Sequence, residues 1–154
     1  MASAKVYLVE SALKRPFITA QGRRERTVNA TISIKLRGGA VGYGEASTSI
    51  AQKHLTPGAL HKALRTMTLR ARGRDARDWR ALVEESWARH GALSPAVAAF
   101  ESAILSALAA ESGTNLAGWL GGARRWLETD LTLSASNDPE TTQAAAAEAA
   151  ADGF

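Results

Sequence analysis

Thr27 to Ala46 reads TVNATISIKLRGGAVGYGEA. Val28, Ala30, Ile32, Ile34 and Leu36 recur at every second position, the signature of a strand with one buried face. Gly38-Gly39 breaks the run and Val41 to Ala46 resumes it, so the stretch predicts an antiparallel hairpin joined by a glycine turn. Working backward, Lys5 to Leu13 predicts a first strand. The polar, basic segment Pro16 to Arg26 between them predicts a mobile loop.

Working forward, the apolar period lengthens from two to that of a helix. Thr56-Pro57 offers an N-cap and an N1 proline ahead of Leu60, Leu64 and Met67, a helix ending near Gly73. Asp75 opens a second, with Trp79, Leu82, Val83 and Trp87 as its buried face and Gly91 as its end. Ser94-Pro95 starts a third, with Val97, Phe100, Ile104 and Leu108 on one side and Gly113 past the end. After a short turn, Leu116 to Leu120, and the pair Gly121-Gly122, Trp126 to Leu133 predicts another strand. Asp138-Pro139 begins an alanine-rich helix reaching Asp152. A strand followed by such a helix is the repeating unit of parallel α/β barrels.

Bulk properties narrow the function classes. With 154 residues, 45% hydrophobic and 22% charged, the chain suits a folded domain with a real core. It has no cysteine, which excludes a disulfide framework and thiolate metal sites and suits a reducing, cytoplasmic setting. Met1 to Leu13 lacks the apolar block of a signal peptide, and charged residues interrupt the apolar stretches short of a membrane span. The formal net charge of +4 is unevenly spread. Residues 1–127 hold all 19 basic residues against 9 acids, whereas residues 128–154 hold 6 acids and no base, so the two parts are expected to face different surroundings.

Four motifs, in order along the chain, carry a resemblance. Pro16-Phe17-Ile18-Thr19-Ala20 resembles the start of the mobile loop of dipeptide epimerases, and Gly39-Ala40-Val41-Gly42-Tyr43-Gly44-Glu45-Ala46 their G-x-V-G-[WY]-G-E-A hairpin. Ala99 to Ala110, leading to Leu120-Gly121-Gly122, resembles the family's A-x-x-x-A-L-x-D helix, with Ser106 in place of the usual aspartate and Asn115 where proline is frequent. Leu127-Glu128-Thr129-Asp130-Leu131-Thr132 resembles the L-E-T-D-x-T strand that opens the barrel. The ordered set resembles the N-terminal part of enolase-superfamily enzymes, of the mandelate racemase/muconate lactonizing type.

The resemblance implies an α+β fold. Residues 1–122 form an enolase N-terminal-like capping domain, a three-stranded antiparallel sheet plus a helical bundle, and residues 123–154 form the first βα unit of a truncated TIM-type barrel. It implies a parent enzyme that abstracts the proton α to a carboxylate and stabilises the enediolate on Mg²⁺, since so weak a carbon acid needs its developing charge offset. The family's lysine acid/base pair and three metal-binding carboxylates lie on later barrel strands. The last lysine here is Lys62, so neither catalytic residues nor metal ligands are expected in this chain, and it is expected to be inert alone. The expected partners are a small, dipeptide-like carboxylate substrate, the remaining barrel and further copies of the parent, rather than nucleic acid or membrane.

Candidate binding residues follow from the same loops. Thr19, Arg23 and Arg24 fall in the loop that folds over substrate in the family, where arginine can hold a carboxylate bidentately. A solvated basic loop would carry the same residues. Gly22 stands where epimerases accepting Ala-Glu have their arginine, so glutamate selectivity does not transfer. Thr132, at the end of the first barrel strand, either touches substrate or is structural. The run Arg70, Arg72, Arg74 and Arg77 reads as a solvated helix connection or, in a different class of function, as part of a basic nucleic-acid-binding module. A muconate-cycloisomerase-like parent is a further reading. His54, His61 and His90 lack metal spacing, and the four tryptophans read as core.

Overall fold

The computed structural model describes residues 1–122 and 126–154. The alternation in Thr27 to Ala46 becomes a sheet of order β1-β2-β3, with β1 Ser3–Thr19, β2 Gly22–Lys35 and β3 Val41–Ala46, antiparallel throughout. Val6, Ile32 and Gly44 lie in line on one face, and Tyr7, Thr31 and Glu45 on the other. Ala30, Ile32, Ile34 and Ala46 are fully buried, so the period of two reports a face pressed against helices.

The helices begin and end where their punctuation predicts. Thr56 caps α1 (Pro57–Ala71), its hydroxyl accepting from Ala59 N at 3.2 Å. Asp75 caps a short 3₁₀ turn, Ala76–Asp78, that runs into α2 (Trp79–His90), and another 3₁₀ turn leads into α3 (Ser94–Glu111). Gly73 and Gly113 take positive φ of 78° and 74° just past α1 and α3, a conformation that costs glycine little. A single turn, α4 (Leu116–Trp119), is capped by Asn115.

The long apolar helix α3 organises the core. Val97, Phe100 and Ile104 are buried, and Ala99, Ala103 and Ala107, spaced at four, lie on the face next to β3. A Cβ at Gly42 would collide with the backbone of Ala103 and Ala107, and one at Gly44 with the carbonyl of Ala99. The G-x-G of the hairpin and the alanine repeat of the helix are therefore one packing device that seats a helix backbone directly on a strand. A window within residues 76–111 has a mean hydropathy of 1.6, enough for a membrane span by length and composition. This departs from the expectation that charges interrupt every such stretch, and half of the window is buried inside the fold.

Three expectations change. Pro16 to Arg26 is no loop: β1 and β2 continue as a two-stranded ribbon, pairing Phe17 with Arg24, Ile18 with Arg23 and Thr19 with Gly22. Trp126 to Leu133 carries no ladder, because no strand among the described residues pairs with it and a strand exists only through its neighbours. Of the tryptophans, Trp79 packs against the core, but Trp87, Trp119 and Trp126 are exposed, Trp126 to 91%. The alanine-rich helix forms as α5 (Pro139–Ala151), though only Ala149 is buried along it. The boundary placed after residue 122 falls on residues 123–125, outside the described residues.

Candidate functional site

The ribbon leaves the core beyond Asn29, where β3 has already ended opposite Ala30. Its middle, Leu13 to Phe17, crosses above residues 131–136 and α5. Between them opens a cleft of about 990 Å³. Its walls mix apolar side chains, Phe17, Leu131 and Leu133 among them, with polar ones drawn from both ends of the chain.

Charge is sorted across this cleft. Lys14, Arg15 and Arg24 come from the ribbon, whereas Glu148 comes from α5 and Asp152 from its C-cap. Part of the unevenness seen along the sequence thus becomes an opposition of charge across the cleft. Arg15 places both terminal nitrogens on the Glu148 carboxylate, at 2.7 and 2.5 Å. That hydrogen bonding, reinforced by the opposite charge, holds the Glu148 carboxyl below its ordinary range and raises Arg15, to which Asp152 adds a smaller pull. At the start of α5, Asp138 accepts from the Thr141 hydroxyl and from the backbone N–H groups of Thr141 and Glu140, which lowers its pKa.

Of the four binding candidates, two meet on the cleft. Arg24 is half-buried in its wall and donates from Nη1 to the Thr48 carbonyl at 3.1 Å, tying the ribbon to the loop after β3. Thr132 lines the opposite side, exposed. Arg23 lies on the other face of the pleat, ion-paired with Glu25 at 2.7 Å. Thr19 is used in the turn, where its hydroxyl accepts from Gln21 N at 3.2 Å. Neither Arg23 nor Thr19 lines the cleft.

Lys14, Arg15, Asn29 and Ser134 line the cleft without having been singled out in the sequence. Arg15 and Glu148 left one signal, the segregation of charge. Asn29 left none, since its role depends on a register: it donates to Glu45 at 2.6 Å and accepts from Thr27 at 2.8 Å. The basic run beside α2 is partly neutralised, Arg74 binding Glu85 and Arg77 binding Glu111, each at 2.8 Å.

The donor set does not fit Mg²⁺. Glu148 is engaged by Arg15 and Asp138 by the N-terminus of α5, and among the described residues no three His, Asp or Glu side chains converge. What the cleft offers is recognition: cations on one side, carboxylates on the other, and hydroxyls among apolar side chains, suited to a small molecule that bears a carboxylate and an ammonium group.

No family model matches the chain. Over 136 residues it is 32% identical to an aromatic dipeptide epimerase of Herpetosiphon aurantiacus, covering 88% of this chain and 38% of that protein. It is 31% identical, with a TM-score of 0.87, to a dipeptide epimerase from Methylococcus capsulatus solved with Mg and the dipeptide L-Arg-D-Lys. It is 27% identical, also with a TM-score of 0.87, to a substrate-liganded L-Ala-D/L-Glu epimerase from Bacillus subtilis. The two superpositions each take in 99% of this chain and 43% of the other, so the chain spans about two fifths of the length of the relatives it matches. The three-stranded sheet and its helices have the fold of an enolase-superfamily N-terminal capping domain. Its homologues and structural neighbours are thus dipeptide epimerases and mandelate racemase/muconate lactonizing enzymes, members of the enolase superfamily.

Proposed function

We propose that residues 1–122 cap the substrate, and residues 123–154 begin the barrel, of a Mg²⁺-dependent epimerase or racemase acting on a small carboxylate, a dipeptide foremost. The observation that carries this reading is the meeting of Arg24 and Thr132, from the two ends of the chain, on one cleft. Arg24, steadied by Thr48, would hold a carboxylate or terminal group of the substrate, while Phe17 and the leucines exclude water from its side chain. Such a reaction would need a base to take the proton α to the carboxylate and Mg²⁺ to supply charge compensation, both held by residues other than those lining this cleft. This chain's residues bind and orient; they supply neither the base nor the ligands. The setting is the cytoplasm of the cell and the parent a homo-oligomer.

The test uses the purified chain and a panel of dipeptides. Saturation-transfer NMR should detect binding that weakens several-fold in R24A and in T132V and is unchanged in R23A. With Mg²⁺ in D₂O, the dipeptide Cα proton should persist. A chain that exchanges that proton, or whose R24A and T132V variants bind as the wild type does, would overturn the assignment.

A further inference from the structure

β1 has an edge to spare. In the order β1-β2-β3 it is flanked on one side, and among the described residues no strand pairs with the other. The hairpin tells which backbone groups stand along that edge. Leu36 N donates to the Ala40 carbonyl at 2.9 Å, so the even-numbered residues of β2 bond to β3 and the odd-numbered ones to β1. Those odd residues pair with Ser3, Lys5, Tyr7, Val9 and Ser11, which leaves the N–H and C=O groups of Ala4, Val6, Leu8, Glu10 and Ala12 directed outward. Proline, bulges and short length ordinarily keep such edges from pairing. None of these interrupts Ala4 to Ala12, since the bulge of β1 comes only between Ala12 and Phe17 and its proline is Pro16. Within this stretch Tyr7, Leu8 and Val9 are exposed on both faces of the sheet.

We propose that this edge is a contact between two copies of the chain: β1 pairs antiparallel with β1 of a second copy, Leu8 opposite Leu8 on a two-fold axis normal to the sheet. The outward residues form a row symmetric about Leu8, so this register alone gives each of them a partner. Ala4 faces Ala12, Val6 faces Glu10 and Leu8 faces itself, every pair exchanging two hydrogen bonds. The exposed apolar run then covers itself. Tyr7 falls against Val9 of the second copy on the outer face, an aromatic against a β-branched side chain, and Leu8 meets Leu8 on the helix side. Like charges stay apart, with Lys5 facing Ser11 and Glu10 facing Val6, whereas an axis at Glu10 would set two carboxylates opposite each other. Leu69, 64% exposed in a recess it shares with Ala4, is carried toward Ala12 of the second copy. Two three-stranded sheets thereby become one continuous sheet. The inference goes beyond the capping reading and does not depend on what the cleft binds.

Sedimentation and cysteine cross-linking of the full chain test it. Sedimentation is followed in the W126S/L127S background, so that association through that exposed segment does not contribute, and the mass should approach twice that of the chain as concentration rises. L8P puts its ring where an outward N–H stood, a change that a strand edge tolerates and that spares the ladder to β2. It should weaken the dimer roughly ten-fold or more, through the two hydrogen bonds lost on the axis. The chain has no cysteine of its own, so an introduced thiol can pair only with its copy. Opposed hydrogen-bonded residues stand about 5.5 Å apart at Cα, within disulfide reach. L8C should therefore oxidise to a covalent dimer well ahead of Y43C, which is exposed on β3 away from this edge. A chain that stays monomeric in the W126S/L127S background, an L8P variant that associates as its parent does, or L8C oxidation no faster than that of Y43C would overturn the proposal. Should L8P fail to fold, the comparison of L8C with Y43C decides.

Discussion

Gly44 lies against the carbonyl of Ala99, with no room for a Cβ between strand and helix. Adding one must push α3 off the sheet or bend β3, and overpacking of this kind costs about 1–3 kcal/mol or more. G44A should lower the urea midpoint accordingly. G58A, in open space within the first turn of α1, should leave it unchanged or raise it slightly.

Thr56 closes the start of α1 through its hydroxyl. T56A removes that acceptor from Ala59 N and should cost about 1 kcal/mol, whereas T56S, which keeps the oxygen, should cost a fraction of it. Chemical denaturation of both variants separates the two outcomes.

Asp138 ties pH to the order of α5. Its carboxylate is lowered in the fold by the Thr141 hydroxyl first and by two backbone N–H groups after it. The folded-state pKa lies below the unfolded one, so the stabilisation is complete above the ordinary carboxylate value of about 4 and disappears as pH falls through the depressed value. The amides of Glu140 and Thr141 should lose protection on acidification over that range. D138N should show a much flatter profile when the same exchange is followed.

Trp126, Leu127 and Leu131 stand 91%, 79% and 50% exposed in one short segment. Neighbouring apolar side chains in water promote association. Sedimentation should show mass rising with concentration for this chain, and the double variant W126S/L127S should reduce that rise.

The sheet and three helices were legible because each buries one face: alternation in Thr27 to Ala46 and four-residue spacing in α1 and α3 are the imprint of burial on sequence. The ribbon tip was not. Arg23 to Arg26 carries a charge at every position, so pairing there leaves no apolar rhythm, and Pro16 alone marks the bulge between Ala12 and Phe17. The choice between Arg23 and Arg24 hung on β2 continuing to Gly22, since the pleat then sends Arg24 to the face of Ala30 and Ile32 and Arg23 to the other. Trp126 to Leu133 misled for the reverse reason: its composition suits a strand, but hydrogen bonding requires a partner that composition cannot supply.

The ribbon past Asn29 also separates two kinds of change. From Ala30 to Gly22 β2 runs eight residues, roughly 27 Å at the rise of an extended chain. Nothing that packs the core lies at its tip, and nothing at the tip packs the core. Residues 17–24 other than Gly22, whose φ of 147° suits glycine, can therefore be randomised as a library with little loss of folded yield, and a small rotation at the root, where Ala30 meets Ala46, is geared up into a wide sweep of whatever side chains the library places at the end.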